Sequence, residues 1–322
     1  MTVAAIIPHC NHRDLLEPLF ASLRAQTRPF DEIIVADNGS TDDSAWLAEQ
    51  LGGRVIALGS NLGFAAAVNR GIQASKADWI AILNNDVELA RDWLEQLLGA
   101  DRAFATGKIL SAKNHSIIDA TFDEISRGAC AWRCGAGKPD APAWNEPREI
   151  RMAPMTAAIF RRSLFEEIGL LDEGFGSYLE DVDFGIRCAL AGRAGAYVPA
   201  AVAYHRGSVT WGAWNKDTVK RISRNQILIT VKHFGGQSLW PILAGQVLWG
   251  MVALRHLRGV SYLRGKISGW KAARALYRGN IRKSDRIARF AAASEWQILA
   301  LQQQTGFDWY WRVYFWLLPR SS

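Results

Sequence analysis

The sequence has few cysteines and shows no secretory signal ahead of its first predicted strand. Four cysteines are spread over 322 residues, and the apolar N-terminal stretch is short and runs into Pro8. Secreted disulfide scaffolds are rich in cysteine and follow a signal peptide, so we expect a protein of the reducing cytoplasm. Cys130 and Cys134 have the spacing of half a zinc site, but no second pair accompanies them, which favours ordinary buried thiols.

The glycine-rich loops of two common nucleotide-binding classes are also missing. No G-x-G-x-x-G follows the first predicted strand, and the chain contains no G-x-x-x-x-G-K followed by Ser or Thr. These absences argue against dinucleotide oxidoreductases and P-loop enzymes. With 49% hydrophobic residues and no low-complexity segment, the composition is that of a globular enzyme.

Acidic residues are scarce in the last third of the chain. Residues 1–211 hold 20 Lys/Arg and 27 Asp/Glu, whereas residues 212–322 hold 18 and 4 respectively, together with 8 of the 14 tryptophans. An acidic body followed by a basic, Trp-rich tail indicates two surfaces with different partners.

The first hundred residues alternate short β-rich runs with helical patterns. Strands are predicted at Val3–Pro8, Glu32–Asp37, Arg54–Leu58 and Trp79–Leu83, with helices at Leu15–Gln26, Asp42–Leu51 and Phe64–Ala74. Because the strand cores are continuous apolar runs, we expect burial on both faces. The pattern predicts an α/β fold with a mostly parallel central sheet and helices on both faces.

The pattern weakens between about residues 100 and 150, a stretch that we interpret as a variable loop or hairpin region. A strand at 155–160, a helix at 161–168 and a strand near 201–204 follow. Beyond residue 212 only helices are predicted. Polar residues follow the predicted strands at the carboxyl edge of the sheet, where open α/β folds bind ligands.

Five segments follow one another in a recognisable order and spacing. They are IIPHCNHRDLLEPLFASLRAQ, EIIVADNGSTDDS, NLGFAAAVNRGI, AILNNDVEL and YLEDVDFGIR. Together they resemble family 2 glycosyltransferases of the GT-A fold, in particular bacterial rhamnosyltransferases. The resemblance covers about residues 1–235, and it implies a GT-A domain over 1–211, with a nucleotide-sugar half to about residue 100 and an acceptor half beyond it.

The resemblance also implies the reaction. It is an inverting, metal-dependent transfer of a sugar, L-rhamnose in the subgroup, from a dTDP- or UDP-linked donor. The acceptor would be a hydroxyl of a glycan or a polyprenyl-diphosphate-linked glycan in cell-surface polysaccharide synthesis.

Asp86 closes the run Asn84–Asn85–Asp86 after the fourth predicted strand. A departing diphosphate gains negative charge, which Mg²⁺ or Mn²⁺ stabilises, and such cations take oxygen ligands. The family's D-x-D is N-x-D here. By resemblance Asp86 is a metal ligand and His205 a second one, although an isolated NND is more simply a polar turn, and a lone histidine is more often a structural hydrogen bonder.

A donor-binding set also follows from the resemblance. Its members are Pro8, Cys10, Asn11, Asp37, Asn38, Asn61, Gly63, Asn69, Asn84, Asn85 and Arg206. The aspartate at the place of Asp37 binds the base or ribose in the family, although a turn residue would look the same. Gly63 would let a helix start close to the nucleotide. Arg206 and Ser208 would meet phosphate oxygens or else lie solvated at the surface.

Glu180 and Asp181 open a helical pattern. An inverting displacement needs a base on the side of the acceptor, and a carboxylate at a helix N-terminus is rigidly held and favoured in its charged form. By resemblance Asp181 is the base, with Glu180 orienting it or binding the acceptor. Acidic residues are common in first helical turns regardless of function, which is the plainer interpretation.

The stretch Leu239–Leu254 is nearly all apolar, but its 16 residues include Pro241 and Gln246 and are short for a bilayer span. Basic residues interleaved with aromatic ones follow. The extension 212–322 is therefore expected to dock on anionic lipid at the inner face of the cytoplasmic membrane. Packing as a helical core or a homo-oligomer interface is the alternative, and nucleic acid is not expected because no recognition motif accompanies the charge.

Two rival functions remain on the sequence alone. A nucleotidylyltransferase shares the layered fold but would ordinarily show a basic, glycine-rich loop after the first strand, which is absent here. A non-catalytic protein that binds membrane or polysaccharide is the other, and the presence of both Asp86 and Asp181 argues against it.

Overall fold

The computed structural model of the chain describes residues 1–207, 214–277 and 285–319. Two compact units are distinguished. One comprises Met1–Phe122 and Gly135–Gly207, and the other comprises Asp123–Cys134 and the chain from residue 208 onwards. The boundary predicted at residue 211 lies outside the described residues, as does Ser208, and the sequence pattern does not predict that Asp123–Cys134 belongs with the helical unit.

The strands, in chain order, are β1 (Val3–His9), β2 (Glu32–Asp37), β3 (Arg54–Ala57), β4 (Trp79–Leu83), β5 (Val87–Leu89), β6 (Phe104–Ser111), β7 (Asn114–Ala120), β8 (Asp123–Ile125), β9 (Ala131–Arg133), β10 (Arg148–Ile150), β11 (Ala157–Arg161) and β12 (Gly195–His205). The α-helices are α1 (Leu16–Arg24), α2 (Ser44–Gln50), α3 (Phe64–Ala74), α4 (Trp93–Leu98), α5 (Arg162–Ile168), α6 (Glu180–Leu190), α7 (Lys216–His233), α8 (Leu239–Arg255), α9 (Gly259–Leu276), α10 (Asp285–Thr305) and α11 (Trp309–Leu317).

The first unit is built on one sheet in the order β10-β12-β6-β11-β4-β1-β2-β3, with β5 beside β12 and β7 beside β6. The half β4-β1-β2-β3 is parallel, as predicted. Strand β11 is antiparallel to both β4 and β6, so β6 and its parallel neighbour β12 again run in the direction of β4. The sheet is therefore mixed, and the carboxyl ends of β1, β2, β4 and β12 lie at one edge.

Both faces of the sheet are covered, because alternate residues of each strand point to opposite sides. Val3, Ala5 and Ile7 of β1 join a buried cluster with Phe20 of α1 and Trp93 of α4. On the other face α3 lies against β1 so closely that a Cβ on Gly71 would be 2.3 Å from the Ile6 side chain. The continuous apolar strands thus have the two-sided burial that their sequence predicts.

The interpretation of residues 100–150 as a variable loop or hairpin region agrees with the hairpins β6–β7 and β8–β9, but it missed that part of this stretch belongs to the central sheet. Strand β6 lies inside the sheet, between β11 and β12, and β7 and β10 extend it. The apolar pattern of β6 is interrupted at two positions. At Gly107 a Cβ would be 1.8 Å from the Ala201 carbonyl oxygen, and the buried Lys108 pairs its ammonium with Asp140 at 2.9 Å. Close strand approach and a compensated buried charge both obscure a buried-strand pattern.

The second unit consists of the hairpin β8–β9 and helices α7 to α11, in agreement with the prediction of helices beyond residue 212. The fully buried carboxylate of Glu295 accepts hydrogen bonds from the Arg127 backbone N–H (2.8 Å) and the Tyr314 hydroxyl (2.7 Å), which holds the hairpin against α10 and α11. Within the described ranges, none of the helices combines the length and the hydropathy that crossing a bilayer requires.

Candidate active site

The turn after β2 is held by the turn after β1. The Asn11 backbone N–H donates to Ser40 Oγ (2.8 Å), and Asn11 Oδ1 accepts from the Thr41 N–H (2.8 Å). Asp37 Oδ1 accepts from the Ser40 N–H at 3.2 Å, so the aspartate caps its own turn. Asn11 has a left-handed backbone (φ 58°), which asparagine tolerates better than most residues. The two predicted residues therefore build one wall of the carboxyl edge together.

Asn38 links this turn to the start of α3. Its Oδ1 accepts from the Leu62 N–H (2.8 Å), and its Nδ2 donates to the Gly63 carbonyl (3.2 Å) and to Asn61 Oδ1 (3.2 Å). The Asn61 amide in turn donates to Cys10 Sγ at 3.5 Å. These predicted donor-binding residues form one hydrogen-bonded group at the ends of β1, β2 and β3.

Gly63 is required by close backbone packing. Its φ is 94°, and a Cβ there would be 2.9 Å from the backbone of Gly176. The first N–H groups of α3 donate to this same segment, from Phe64 to Ser177 Oγ (3.1 Å) and from Ala65 to the Gly176 carbonyl (2.9 Å). The start of α3 therefore anchors the chain that leads into α6, and that Gly63 lets this helix start close to the nucleotide stays a prediction.

Asn69 makes the same kind of link one turn later. Its Nδ2 donates to the Leu171 carbonyl (2.9 Å) and to Glu173 (3.0 Å), and its Oδ1 accepts from the Leu171 N–H (3.0 Å). The side chain is buried and hydrogen-bonded to protein at both ends of its amide. In the structure Asn69 joins α3 to residues 171–173, and its place in the donor set stays a prediction.

Pro8 and His9 end β1 at the centre of this edge. Pairing of β1 with β4 stops at Ile6. Pro8, which has no backbone N–H to donate, therefore lies beyond the hydrogen bonds that join these two strands. The Asn85 amide lies 3.0 Å from His9 Nδ1, and the Asn84 N–H donates to the Thr156 carbonyl (2.9 Å). Burial lowers the pKa of His9 to about 4, so the ring is neutral at physiological pH.

Asp86 and His205 come together, as the sequence predicts. His205 Nε2 lies 3.1 Å from Asp86 Oδ1, and its Nδ1 lies 2.8 Å from Asp119 Oδ2. Burial opposes the charged ring, but the hydrogen bonds and charges of Asp119 and Asp86 outweigh it and raise the pKa of His205 to about 9. The topology explains the pairing, because β12 ends at the same edge as β4 and aligns His205 with Val87.

Asp119 was missed by sequence reasoning, because it falls in the stretch read as variable. The available signal was an aspartate inside the apolar run IIDA, which forms the end of β7. The structure also gives Arg206 a partner that the sequence did not predict. Its guanidinium lies 3.2 Å from Glu88, and its backbone N–H donates to the Asp86 carbonyl (3.0 Å).

Glu180 and Asp181 are buried in the first turn of α6. The two preceding residues, Tyr178 and Leu179, both have left-handed backbones, and this sharp turn directs the chain into the helix. Because Gly176 and Ser177 bind the start of α3, and α3 begins just after the carboxyl end of β3, the start of α6 lies at the carboxyl edge as well. The predicted catalytic pair thus shares this edge with the donor-binding group.

The donor atoms of Asp86 and His205 fit a divalent cation that arrives with a diphosphate. A carboxylate oxygen and an imidazole nitrogen are both ligands for Mn²⁺, and Mg²⁺ is commonly held by one or two carboxylates plus substrate phosphates. Asp119 binds the far ring nitrogen, the usual arrangement behind a metal-binding histidine. No group of three or more His, Cys, Asp or Glu side chains that could hold a metal occurs among the described residues, so the protein offers a partial set of ligands.

Comparison with known proteins identifies the family. The profile described as "Glycosyl transferase family 2" matches residues 4–169. The chain is 30% identical over 282 residues to the N-acetylglucosaminyl-diphospho-decaprenol L-rhamnosyltransferase of Mycobacterium tuberculosis, with 77% of this chain and 90% of the relative covered. The chain belongs to glycosyltransferase family 2. It is therefore an enzyme that transfers a sugar, and the nucleotidylyltransferase and non-catalytic alternatives fall away.

Other relatives of this glycosyltransferase agree with that assignment. Rhamnosyltransferase WbbL of Escherichia coli K12 is 26% identical over 224 residues, which cover 64% of this chain and 83% of the relative. The mannosyltransferase PcManGT from Pyrobaculum calidifontis, solved with GDP-Man and Mn²⁺, superimposes with a TM-score of 0.53 at 17% identity, covering 98% of this chain and 85% of that one. GalNAc-T7, solved with UDP, GalNAc and Mn²⁺, gives a TM-score of 0.64 at 16% identity, and the match covers 95% of this chain and 58% of that one. These likenesses confirm the predicted GT-A fold.

Proposed function

We propose that this glycosyltransferase moves L-rhamnose from a dTDP-linked donor to a hydroxyl of a polyprenyl-diphosphate-linked sugar, with inversion at the anomeric carbon. The relatives named as rhamnosyltransferases support the sugar, and the mycobacterial one supports a lipid-linked acceptor. The observation that carries the proposal is the convergence of the Asp37–Asn38 turn, the Asp86–His205 pair and the start of α6 at one edge of the sheet.

The donor half of the reaction is assigned to the residues at the ends of β1, β2 and β4. Asp37 and Asn38 lie on a braced turn suited to hold the base and ribose. Asp86 and His205 would hold a divalent cation, which neutralises the charge that develops on the departing diphosphate when it is bound. Arg206 is fixed beside this pair through its backbone, and its guanidinium is suited to exchange Glu88 for a phosphate oxygen.

The acceptor half is assigned to α6. The Asp181 carboxylate takes the proton of the acceptor hydroxyl as the acceptor oxygen attacks the anomeric carbon. The bond from that carbon to the diphosphate oxygen breaks, and the nucleoside diphosphate leaves with the bonding electrons. Glu180, buried in the same helical turn, orients Asp181 or binds the acceptor. The positive end of the α6 dipole favours the charged carboxylate that a base requires.

The test is a transfer assay with a short-chain polyprenyl-diphosphate-GlcNAc acceptor and a panel of nucleotide sugars in Mn²⁺. We expect transfer from dTDP-rhamnose and a product whose anomeric configuration, read by NMR, is opposite to that of the donor. Retention of configuration would refute the mechanism. Transfer from a different sugar alone would refute rhamnose and leave the mechanism standing.

The base is tested with Asp181→Asn, which keeps the shape of the side chain and removes its basicity. We expect turnover to fall by roughly 10²–10⁴-fold while donor binding, measured by calorimetry, stays intact. The matched control is Glu167→Gln, a carboxylate to amide change at an exposed residue paired with Arg193. Undiminished turnover in Asp181→Asn would remove Asp181 as the base.

A further inference from the structure

Helices α8 and α9 of the second unit expose an apolar surface that no described part of the chain covers. On α8 the exposed large apolar side chains are Leu239, Trp240, Leu243, Val247, Met251 and Leu254, and on α9, apart from Leu276 at its last position, they are Val260, Leu263, Ile267 and Trp270. Their spacing of three and four residues places each set along one side of its helix. We call these ten residues the α8–α9 stripe.

The stripe lies opposite the face by which α9 packs into the unit. Gly265 and Gly269 approach α7 so closely that a Cβ would be 2.4 Å from the Lys220 carbonyl oxygen and 2.6 Å from the Arg224 carbonyl oxygen. On a helix with 3.6 residues per turn, positions 263, 267 and 270 point roughly 120–180° away from the mean direction of positions 265 and 269. The outward direction of the stripe is therefore fixed by the packing of α9 on α7.

Both parts of the stripe lie on the same side of the helix pair. Gly250 lies against Tyr262 and Gln246 against Lys266, so the order of contacts shows that the helices are antiparallel. Exposed residues come one position after these contacts on each helix, at 247 and 251 on α8 and at 263 and 267 on α9. On each helix, moving one residue past the contact turns the side chain by the same angle away from the neighbouring helix. Because the two helices are antiparallel, both sets of side chains then point to the same side of the pair, and the stripe is a single surface.

The charge of this segment identifies its occupant. Residues 239–277 contain six Lys/Arg and no Asp or Glu. Arg264, Lys271 and Arg274 are exposed on α9 beside the stripe. A second copy of the chain would bring the same cations together across a two-fold axis, because such an interface uses the same patch on both subunits. An anionic bilayer complements both the apolar side chains and the cations.

We propose that the α8–α9 stripe inserts into the surface of an anionic membrane, with Arg264, Lys271 and Arg274 on the lipid headgroups. The helix pair lies in the plane of the interface in this arrangement, consistent with the finding that no described helix has the properties of a membrane span. Docking would hold the enzyme at the surface where a lipid-linked acceptor is found. Vesicle binding tests this without turnover, so docking and the proposed function can fail separately.

The experiment is co-sedimentation of the full chain with phosphatidylglycerol vesicles, compared with phosphatidylcholine vesicles, at low and high salt. We expect binding to phosphatidylglycerol that weakens as salt rises, because surface charges are screened. The variant Arg264→Gln/Lys271→Gln/Arg274→Gln should bind roughly a hundredfold more weakly. The control Lys76→Gln/Arg91→Gln/Lys113→Gln makes the same change of charge at exposed residues of the first unit and should bind normally.

The apolar part is tested with Leu243→Ser/Val247→Ser/Ile267→Ser, against Trp46→Ser as an exposed apolar control in α2. We expect the triple variant to lose binding and the control to keep it, with unchanged circular dichroism in both. Absence of wild-type binding to phosphatidylglycerol at low salt would overturn the proposal. So would a wild-type dimer in analytical ultracentrifugation that the triple variant converts to monomer, since the stripe would then be a subunit interface.

Discussion

Asp119 determines how the His205 ring is presented. Its carboxylate binds Nδ1 and leaves Nε2 directed at Asp86, the nitrogen that a cation would need. A carboxylate behind a metal-binding histidine fixes the ring orientation and raises its basicity. We therefore expect Asp119 to act as a positioning residue, with an effect on cation affinity rather than on the chemistry proposed for Asp181.

We predict that Asp119→Ala weakens Mn²⁺-dependent binding of the nucleoside diphosphate by 10–100-fold, in the range found when such outer carboxylates are removed. Asp119→Asn retains an acceptor for the ring N–H and should recover part of the loss. Titration calorimetry with Mn²⁺ present measures both, with the exposed Asp101→Asn as control. Equal affinity in wild type and Asp119→Ala would contradict the positioning role.

His9 gives the fold a dependence on pH. Its pKa is lowered to about 4 by burial, which outweighs the opposing charges of Asp37, Asp42 and Asp14, while His12 lowers it further. The folded state therefore binds fewer protons than the unfolded chain, in which the pKa is near 6.5. The contribution of His9 to the free energy of unfolding is fully present above pH 6.5 and is lost as the pH falls towards 4.

We predict that the free energy of unfolding of the wild type falls by roughly 3 kcal/mol more than that of His9→Gln between pH 7 and 4. Glutamine keeps an acceptor for the Asn85 amide and does not titrate. Urea unfolding at a series of pH values measures the free energy of unfolding of both proteins. The carboxylates contribute equally to the two proteins, so their contribution cancels when one value is subtracted from the other. Parallel curves for the two proteins would show that His9 is not the group responsible.

At the scale of elements, contact between α7 and α9 depends on the absence of side chains at two positions of α9. Gly265 and Gly269 allow their Cα atoms to face α7 carbonyl groups, at distances that any Cβ would violate. Glycine is otherwise unfavourable inside a helix by about 1 kcal/mol relative to alanine. The close helix packing offsets that loss.

We predict that Gly265→Ala and Gly269→Ala each destabilise the protein by about 1–3 kcal/mol, even though alanine favours the helix. The exposed Ala275→Leu on the same helix should change stability by less than about 0.5 kcal/mol. Thermal and urea unfolding of the three variants measure whether both glycine variants lose more stability than Ala275→Leu. A stabilised Gly265→Ala would mean that propensity outweighs packing at this contact.

At the scale of the whole molecule, ligand binding should stabilise the fold by mass action. A ligand at a hundred times its Kd adds about 2.7 kcal/mol to the free energy of unfolding. Because Asp86 and His205 are proposed as two ligands of an incomplete set, the nucleoside diphosphate and the cation are expected to bind together.

We predict that dTDP with Mn²⁺ raises Tm by several degrees, and that dTDP or Mn²⁺ alone raises it by less than half as much. Asp86→Asn should abolish the part of the shift that needs the cation. Scanning calorimetry of both proteins with each ligand separately and together measures the coupling. An equal shift from dTDP without the cation would contradict shared binding.

The sequence alone determined β1 to β4, α1 to α3 and part of the candidate site, but not β5 or α4. Strands β1, β2 and β4 and helix α3 follow from the spacing of apolar residues, which depends only on neighbouring positions in the chain. The ends of those strands supplied Asp37, Asn38 and Asp86, because parallel strands share a carboxyl edge.

Only the tertiary structure decided which distant residues complete these groups. Asp119 reaches His205 because β6 carries β7 to the edge where β12 ends, and Asn69 meets residues 171–173 because α3 packs on the chain leading to α6. Gly107 and Lys108 interrupt the apolar pattern of β6, because Gly107 allows the close approach of Ala201 in β12 and Lys108 pairs with the distant Asp140. Pairings over a hundred residues are set by sheet order and close packing, which no short stretch of sequence contains.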